Sequence, residues 1–377
     1  MTRRERLMAT LRGESVDRPA VNFYEISGFE DTSNPDPYNI YSDPSWRPLI
    51  EMAARFTDRI VMCGVPFKNE PPDPAAPLSR TELREEGSSR FWTTTVQAGS
   101  RMLTSKARRD ADINTVWTTE HLLKDADDLR AWLDLPERPS GGEPDVSGVL
   151  ELEKKLGDSG IVMIDTADPL CMVAPLFEMG QYTIIAMTEN ELFHKALRKC
   201  SRWLYPRVEA ITRALPGRLW RIYGPEYASP PYLPPSLFHE YVTEYVRPMV
   251  QHIQSRGGYA RIHSHGRLRD ILDEIAATGC SGLDPIEPPP QGDVSLAYVR
   301  EQYGRQMVLF GNLEVSDIEN LAPSEFAKKV ETAVSEGTGG KGRGFVLMPS
   351  ACPYGRRLSK QALANYRVML EAVGAMD

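Results

Sequence analysis

His263 and His265 stand one residue apart in the hexapeptide RIHSHG (261–266), in a chain of 377 residues with six histidines in all. They close a short apolar run, and in extended backbone residues two apart point to the same side. Two neutral imidazoles facing one way can share a metal ion, and Cys352 in MPSACPYG could add a thiolate. Three nitrogen and sulfur ligands with a fourth position open is how a catalytic zinc is held. The same histidines could equally hydrogen-bond to neighbouring backbone, and Cys352 could be a small buried hydrophobe. Spacing alone does not choose between the two.

Acids lie close by in sequence. Glu287 in IEPPPQGD (286–293) precedes three prolines, which stiffen the loop and would fix the direction of its carboxylate. A rigid connector with an exposed acid would read the same way. GPEYASPPYLPP (224–235) offers Glu226, Tyr227 and Tyr232 as one wall of a pocket, or a proline-rich cap over it.

These residues need elements to position them. Short apolar runs bounded by turn residues recur at PAVNF (19–23), RIVMC (59–63), IVMID (161–165), LWRIY (219–223), YARIH (259–263), GLDPI (282–286), QMVLF (306–310) and GFVLM (344–348). Each reads as a buried strand. Amphipathic stretches of helical length alternate with them, notably 235–256, 267–278, 323–336 and 359–373. That alternation predicts an α/β fold, a (β/α)8 TIM barrel, with an open doubly wound sheet as the fallback. The segment 89–109, rich in Thr, Val, Phe and Trp around an AGS turn, predicts a β-hairpin inserted between the second and third strands, within 85–120. Residues 1–18 predict an N-terminal helical extension, and 1–377 is expected to form a single domain.

In such a barrel the chemistry sits at the C-terminal ends of the strands. The residues just past each run are Glu25, Cys63, Asp165 with Asp168, Glu226, His263 with His265, Glu287, Asn312 with Glu314, and Cys352. So many acid, base and ligand side chains at one rim predict an active site there. Cys63, Cys171, Cys200 and Cys280 have no ligand-type neighbour in sequence and read as packing residues. GTGGKG (337–342) has the spelling of a dinucleotide-binding loop, but it follows a helix and precedes a strand, the reverse of the order such loops need.

Composition bounds the rest. A hydrophobic fraction of 41% and a charged fraction of 25% are those of an ordinary globular protein. A net charge of −8 without dense Lys/Arg blocks argues against nucleic acid as a partner. No apolar run is long enough for a membrane span, and the basic N-terminus lacks the apolar core of a secretory signal. Five scattered cysteines suit a reducing compartment, so a cytoplasmic location is expected.

Together these motifs resemble the uroporphyrinogen decarboxylase superfamily. RRERLMATLRGESVDRPAV is similar to its N-terminal helix and first strand, and the likeness resumes in IHSHGRLRDILDEIAATGCSGLDPIEPPPQGD, VLFGNLE and LMPSACPYG. The decarboxylases themselves carry an Arg-Gln-Ala-Gly-Arg loop for a polyanionic tetrapyrrole. Here that place reads YEISGFEDTSNPDPYN, acidic and without arginine, which would repel such a substrate. The corrinoid-dependent methyltransferase branch is the better match. Its zinc motif, His-x-Cys-Gly followed much later by Cys, is met by His263-Ser264-His265-Gly266 and Cys352, with histidine in place of the first cysteine.

The resemblance implies Zn2+ on His263, His265 and Cys352, with Glu226 or Glu287 as a fourth ligand or proton-handling acid. Tyr227, Tyr232 and Asn312, read from their places at the strand ends, are expected around the substrate. The expected function is zinc-assisted transfer of a methyl group between a small methylated compound, such as a methoxylated aromatic, and a corrinoid. Fewer thiolates make zinc a stronger Lewis acid, which suits an ether or alcohol oxygen. The chain has no Asp-x-His-x-x-Gly cobalamin motif, so the corrinoid is expected on a separate partner protein. The direction of transfer stays open, and a homodimer is an allowed assembly. One rival is a metal-independent decarboxylase with Arg267 or Arg269 in its pocket; the other is a non-catalytic ligand-binding barrel.

Overall fold

The structure is a computed structural model and describes residues 1–340 and 342–376. All eight expected runs form strands of one parallel sheet: β1 (Ala20–Val21), β2 (Arg59–Cys63), β3 (Gly160–Ala167), β4 (Leu219–Tyr223), β5 (Tyr259–Ser264), β6 (Gly282–Pro285), β7 (Val308–Leu313) and β8 (Gly344–Pro349). The order around the sheet is β1-β8-β7-β6-β5-β4-β3-β2, which is the cyclic order of a (β/α)8 barrel. Strands such as VLFGNL in β7 are buried along their whole length, because one face meets the barrel interior and the other meets helices.

Parity along each strand separates two cores. Ile161 and Met163 of β3, Leu219 of β4, Val308 and Phe310 of β7, and Val346 and Met348 of β8 fill the barrel interior. Leu7 and Leu11, from the helix Arg3–Arg12, join that interior cluster. The N-terminal helix expected over 1–18 is therefore a plug for the barrel floor. It opens with a capping box in which Thr2 and Glu5 satisfy each other's backbone N–H. The intervening odd and even partners, such as Ile222, Ile262, Leu283 and Leu309, face the outer helices in the larger core.

β1 and β2 meet at a seam that Asp58 closes. Its N–H donates to the Val21 carbonyl at 2.8 Å, and its Oδ2 accepts from the Val21 N–H at 2.9 Å. Arg6 and Arg18 neutralise the carboxylate at 2.6 and 2.8 Å.

The helix expected over 235–256 is continuous but not regular: Pro235–Phe238 and Glu244–Ser255 are α-helical, and His239–Thr243 between them is a π turn. The stretch 267–278 yields only Leu272–Ala277. The last two expected helices are Pro323–Thr338 and Lys360–Ala372. GTGGKG lies between the first of these and β8, and its Lys341 is outside the described residues.

The expected hairpin is the centre of a larger insertion. Four antiparallel strands, Ser79–Glu86, Ser89–Ala98, Arg101–Asp110 and Val116–Glu120, form one sheet in sequence order. Glycines with positive φ, Gly87 at 60° and Gly99 at 59°, make the two tight turns. The first strand, SRTELREE, is exposed at every residue and so lacks the apolar alternation that would announce it. A further pair, Phe67–Lys68 with Glu143–Pro144, ties the insertion to the barrel. Among the described residues, no helix is long and apolar enough to cross a membrane.

Candidate active site

β4, β5 and β6 carry ionisable side chains on their inward faces, and parallel register sets them side by side. Tyr223 of β4 pairs with His263 of β5, and His263 with Asp284 of β6. One layer below, Asp165, Arg221 and Arg261 stand in line on β3, β4 and β5. The result is a polar layer laid on the apolar interior.

The two histidines do share a side, as their spacing predicts. Their rings meet edge to face with centroids 4.6 Å apart. Each donates an Nδ1–H hydrogen bond to a carboxylate on or just past β6: His263 to Asp284 at 2.8 Å, and His265 to Glu287 at 2.7 Å. Glu287 also accepts from the Gly266 N–H at 2.6 Å, which fixes the loop that carries His265. These partners are carboxylates, not the neighbouring backbone. Among the described residues, neither Nε2 has a hydrogen-bond partner.

The charges are mutually balanced. Burial alone would raise the Asp284 carboxyl, but Arg261, His263 and Arg221 outweigh it and hold it below the usual range. Burial would lower His265, yet the Glu287 carboxylate holds it above an ordinary histidine. Glu287 is correspondingly held down by His265 and the Gly266 N–H against its own burial. Arg261 is fully buried and approaches Asp284 to 2.7 Å as a charge contact, without hydrogen-bond alignment. Its guanidinium sits 4.8 Å over the Phe310 ring. Arg221 grips Asp165 through two bonds of 2.6 and 2.9 Å and donates to the Tyr24 hydroxyl. Tyr24 in turn stacks on His263 at 6.0 Å.

Glu226 lies at the end of β4, half-buried, its carboxylate accepting from the Gly224 N–H at 3.0 Å. It is near enough to raise the proton affinity of His265. Tyr227 is half-buried and edge-on to Tyr182, with ring centroids 6.2 Å apart. Tyr232 is 41% exposed and stands on the surface of its proline-rich loop. Asp168 is buried beneath the rim and caps Pro169–Val173 through the Cys171 N–H. Gly224 leaves room for it: a Cβ there would come within 2.4 Å of the Asp168 carboxylate.

Asn312, near the end of β7, and Glu314, just past it, line a cavity of about 300 Å³ with Pro288, Leu296 and Lys328. Glu314 belongs both to this cavity and to the histidine site. One of its oxygens is buried without a partner, while the Ser350 hydroxyl donates to the other. Burial first, and the Glu287 carboxylate second, push its carboxyl up to about 7. The unfolded chain ionises such a group near 4.5, so the folded state loses ground as pH rises from that value through about 7. Glu314→Gln should therefore match wild type near pH 4.5 and exceed it at pH 8 by up to about 3 kcal/mol. Thermal melts of both proteins in EDTA across that range check this. Equal stability at pH 8 would mean that Glu314 is ordinarily ionised.

Cys352 goes elsewhere. It lies in the loop after β8, a strand that pairs with β1, and its thiol lies against Glu25, where burial and the carboxylates of Glu25 and Glu30 raise it well above an ordinary cysteine. Among the described residues, no three of His, Cys, Asp and Glu are grouped so as to hold one metal ion. The structure thus brings together His263, His265, Glu287 and Glu226 but not Cys352. It adds Asp284, Arg221, Arg261 and Tyr24, which sequence reasoning missed. The available signal was a charged residue in inward phase in the middle of LWRIY, YARIH and GLDPI.

Residues 154–375, more than half of the chain and including every strand from β3 to β8, match the uroporphyrinogen decarboxylase (URO-D) family. This chain belongs to that family. A methyltransferase from Methanosarcina mazei has the same fold over its whole length: it covers 99% of this chain and 98% of its own, with a TM-score of 0.60 at 16% identity. Two D-psicose 3-epimerase structures align less well, each with a TM-score of 0.32. One, solved in the presence of D-fructose, is 9% identical and covers 60% of this chain and 81% of its own. The other, with D-tagatose from Clostridium cellulolyticum H10, is 12% identical and covers 61% and 92%. A comparison with curated proteins found no match. Within the URO-D family fold, the histidine pair sits at the C-terminal rim, where barrels of this type place their chemistry.

Proposed function

We propose that this URO-D family protein is a methyltransferase. It would move a methyl group between a small methylated substrate, such as a methoxylated aromatic, and a corrinoid carried by a separate protein, with Zn2+ held by His263 and His265. The observation that carries this reading is the pair of histidine–carboxylate contacts. Metal-binding histidines almost always give their other ring N–H to a carboxylate or carbonyl, which fixes the tautomer and aims the free nitrogen. Asp284 and Glu287 do so here, so the donor set fits zinc at two positions. Cys352 is the proposed third ligand; in this structure it faces Glu25 instead. Zinc bound there supplies Lewis acidity to the heteroatom that carries the methyl group.

The chain's own residues do the rest. Asp284 and Glu287 hold the imidazoles in place and keep Nε2 basic. Glu226, beside His265 and without an ion pair among the described residues, would hold or deliver the proton that the demethylated heteroatom takes up. Asn312 and Glu314 offer polar contacts in a largely apolar cavity that suits an aromatic body. Tyr227 contributes an aromatic wall behind Glu226.

The decarboxylase reading loses its anchor. Arg267 and Arg269 are exposed outside the rim, and Arg221 and Arg261 inside the barrel are already paired with Asp165 and Asp284.

The test is metal content of the purified chain beside His263→Ala and Cys352→Ala. About one zinc per wild-type chain, lost in both variants, is the expected result. Glu287→Gln should weaken zinc binding about 10- to 100-fold without removing a ligand. Loss in His263→Ala alone would remove Cys352 from the ligand set. A wild type that takes up no zinc when supplied with it overturns the metal and the mechanism together. Methyl transfer to reduced free cobalamin from methoxylated donors then tests the reaction.

A further inference from the structure

The outermost strand of the inserted sheet, Ser79–Glu86, bonds to Ser89–Ala98 on one side only, and among the described residues no strand pairs with its other edge. Sheet edges of this kind are usually shortened, bulged, interrupted by proline or covered. This one runs for eight residues, contains no proline, keeps unbroken register with its neighbour and is exposed throughout.

Its charges follow a pattern. Arg80, Glu82, Arg84 and Glu86 alternate on one face, with Arg80–Glu82 at 2.9 Å and Arg84–Glu86 at 2.8 Å along the strand. Leu83, on the other face, is 57% exposed.

We infer that this edge pairs with the same edge of a second copy, antiparallel about a two-fold axis through Leu83, joining the two inserted sheets into one. In that register Arg80 faces Glu86 of the second copy, Glu82 faces Arg84, and the two Leu83 side chains meet on the axis. Every charged pair on that face is then of opposite sign. Sliding by two residues either way, the smallest shift that keeps the faces matched, sets Arg80 against Arg84 or Glu82 against Glu86. The charge order therefore selects one register and rejects its neighbours. The contact is isologous and closes as a dimer, leaving no such edge free to extend a fibre. It lies on the insertion and leaves the barrel rim open.

The full-length protein tests this by sedimentation or light scattering across a concentration range. A mass twice 42.3 kDa is expected at high concentration, falling toward 42.3 kDa on dilution. Glu82→Arg should raise the dissociation constant about tenfold or more, because both symmetry-related pairs become repulsive. The double swap Glu82→Arg with Arg84→Glu should restore dimerisation. These side chains are exposed, and melting curves confirm that the variants fold alike. A protein that stays monomeric, a dimer indifferent to Glu82→Arg, or a loss that the double swap does not recover overturns the inference.

Discussion

Asp284→Ala is expected to destabilise the protein by about 3–5 kcal/mol, the cost of leaving a buried charge without its partner. Asp284 is completely buried and serves two groups at once: the guanidinium of Arg261 through Oδ1 and the imidazole of His263 through Oδ2. Arg261 is 1% exposed, so water cannot replace the lost carboxylate. Urea denaturation should show the midpoint falling with little change in slope. The ion pair itself has no special claim on stability, since buried pairs can often be exchanged for apolar groups at little cost. Asp284→Leu combined with Arg261→Met should therefore recover most of the loss. The proposed zinc binding should not recover, because His263 still lacks the acceptor that orients it. A single variant within about 1 kcal/mol of wild type would show that water reaches Arg261 and that the polar layer is wet.

Asp58→Ala should cost a similar amount, about 3–5 kcal/mol, for a different reason. Asp58 is the point at which the cylinder closes: the two-residue strand β1 meets β2 through its backbone and carboxylate. Removing the carboxylate strips one partner from Arg6 and one from Arg18 and leaves the Val21 N–H unpaired. Arg6 retains Asp17 through two bonds of 2.7 Å, which limits its share of the loss. Hydrogen exchange at Val21 should accelerate more than at Ile262 in the middle of β5. The proposed zinc binding should be unaffected in the folded protein, because the seam lies at the opposite end of the barrel from the histidines. Uniform acceleration would mean that the seam is no weaker than the rest of the barrel.

Much of the fold was legible because its signals are local. Each barrel strand buries both faces, so each appears as a short, mostly apolar run ended by Gly, Pro or a polar residue, even where a charged residue stands in its middle, and all eight lie where those runs predict. Helix lengths were less legible. The stretch 267–278 has helical spacing throughout, but the chain after His265 is tied to Glu287 and Asp293, and only Leu272–Ala277 winds into a helix. SRTELREE was missed as a strand because it buries nothing, and burial is what imprints a period on sequence.

The site divides in the same way. The shared side of His263 and His265 follows from strand parity and needed no structure. That Glu287 would turn back onto His265 rather than out to solvent needed the placement of the loop after β6 beside that after β5. That Asp284 would meet His263 needed the register of β5 against β6. By itself, the sequence determined the strands, the barrel and the rim on which the acids and histidines gather. Tertiary structure alone decided which of those side chains touch: it gave each histidine its carboxylate and set Cys352 beside Glu25. The reason is that apolar patterning records only whether a residue is buried, whereas ionic partners are chosen by inter-strand register, which no single segment contains.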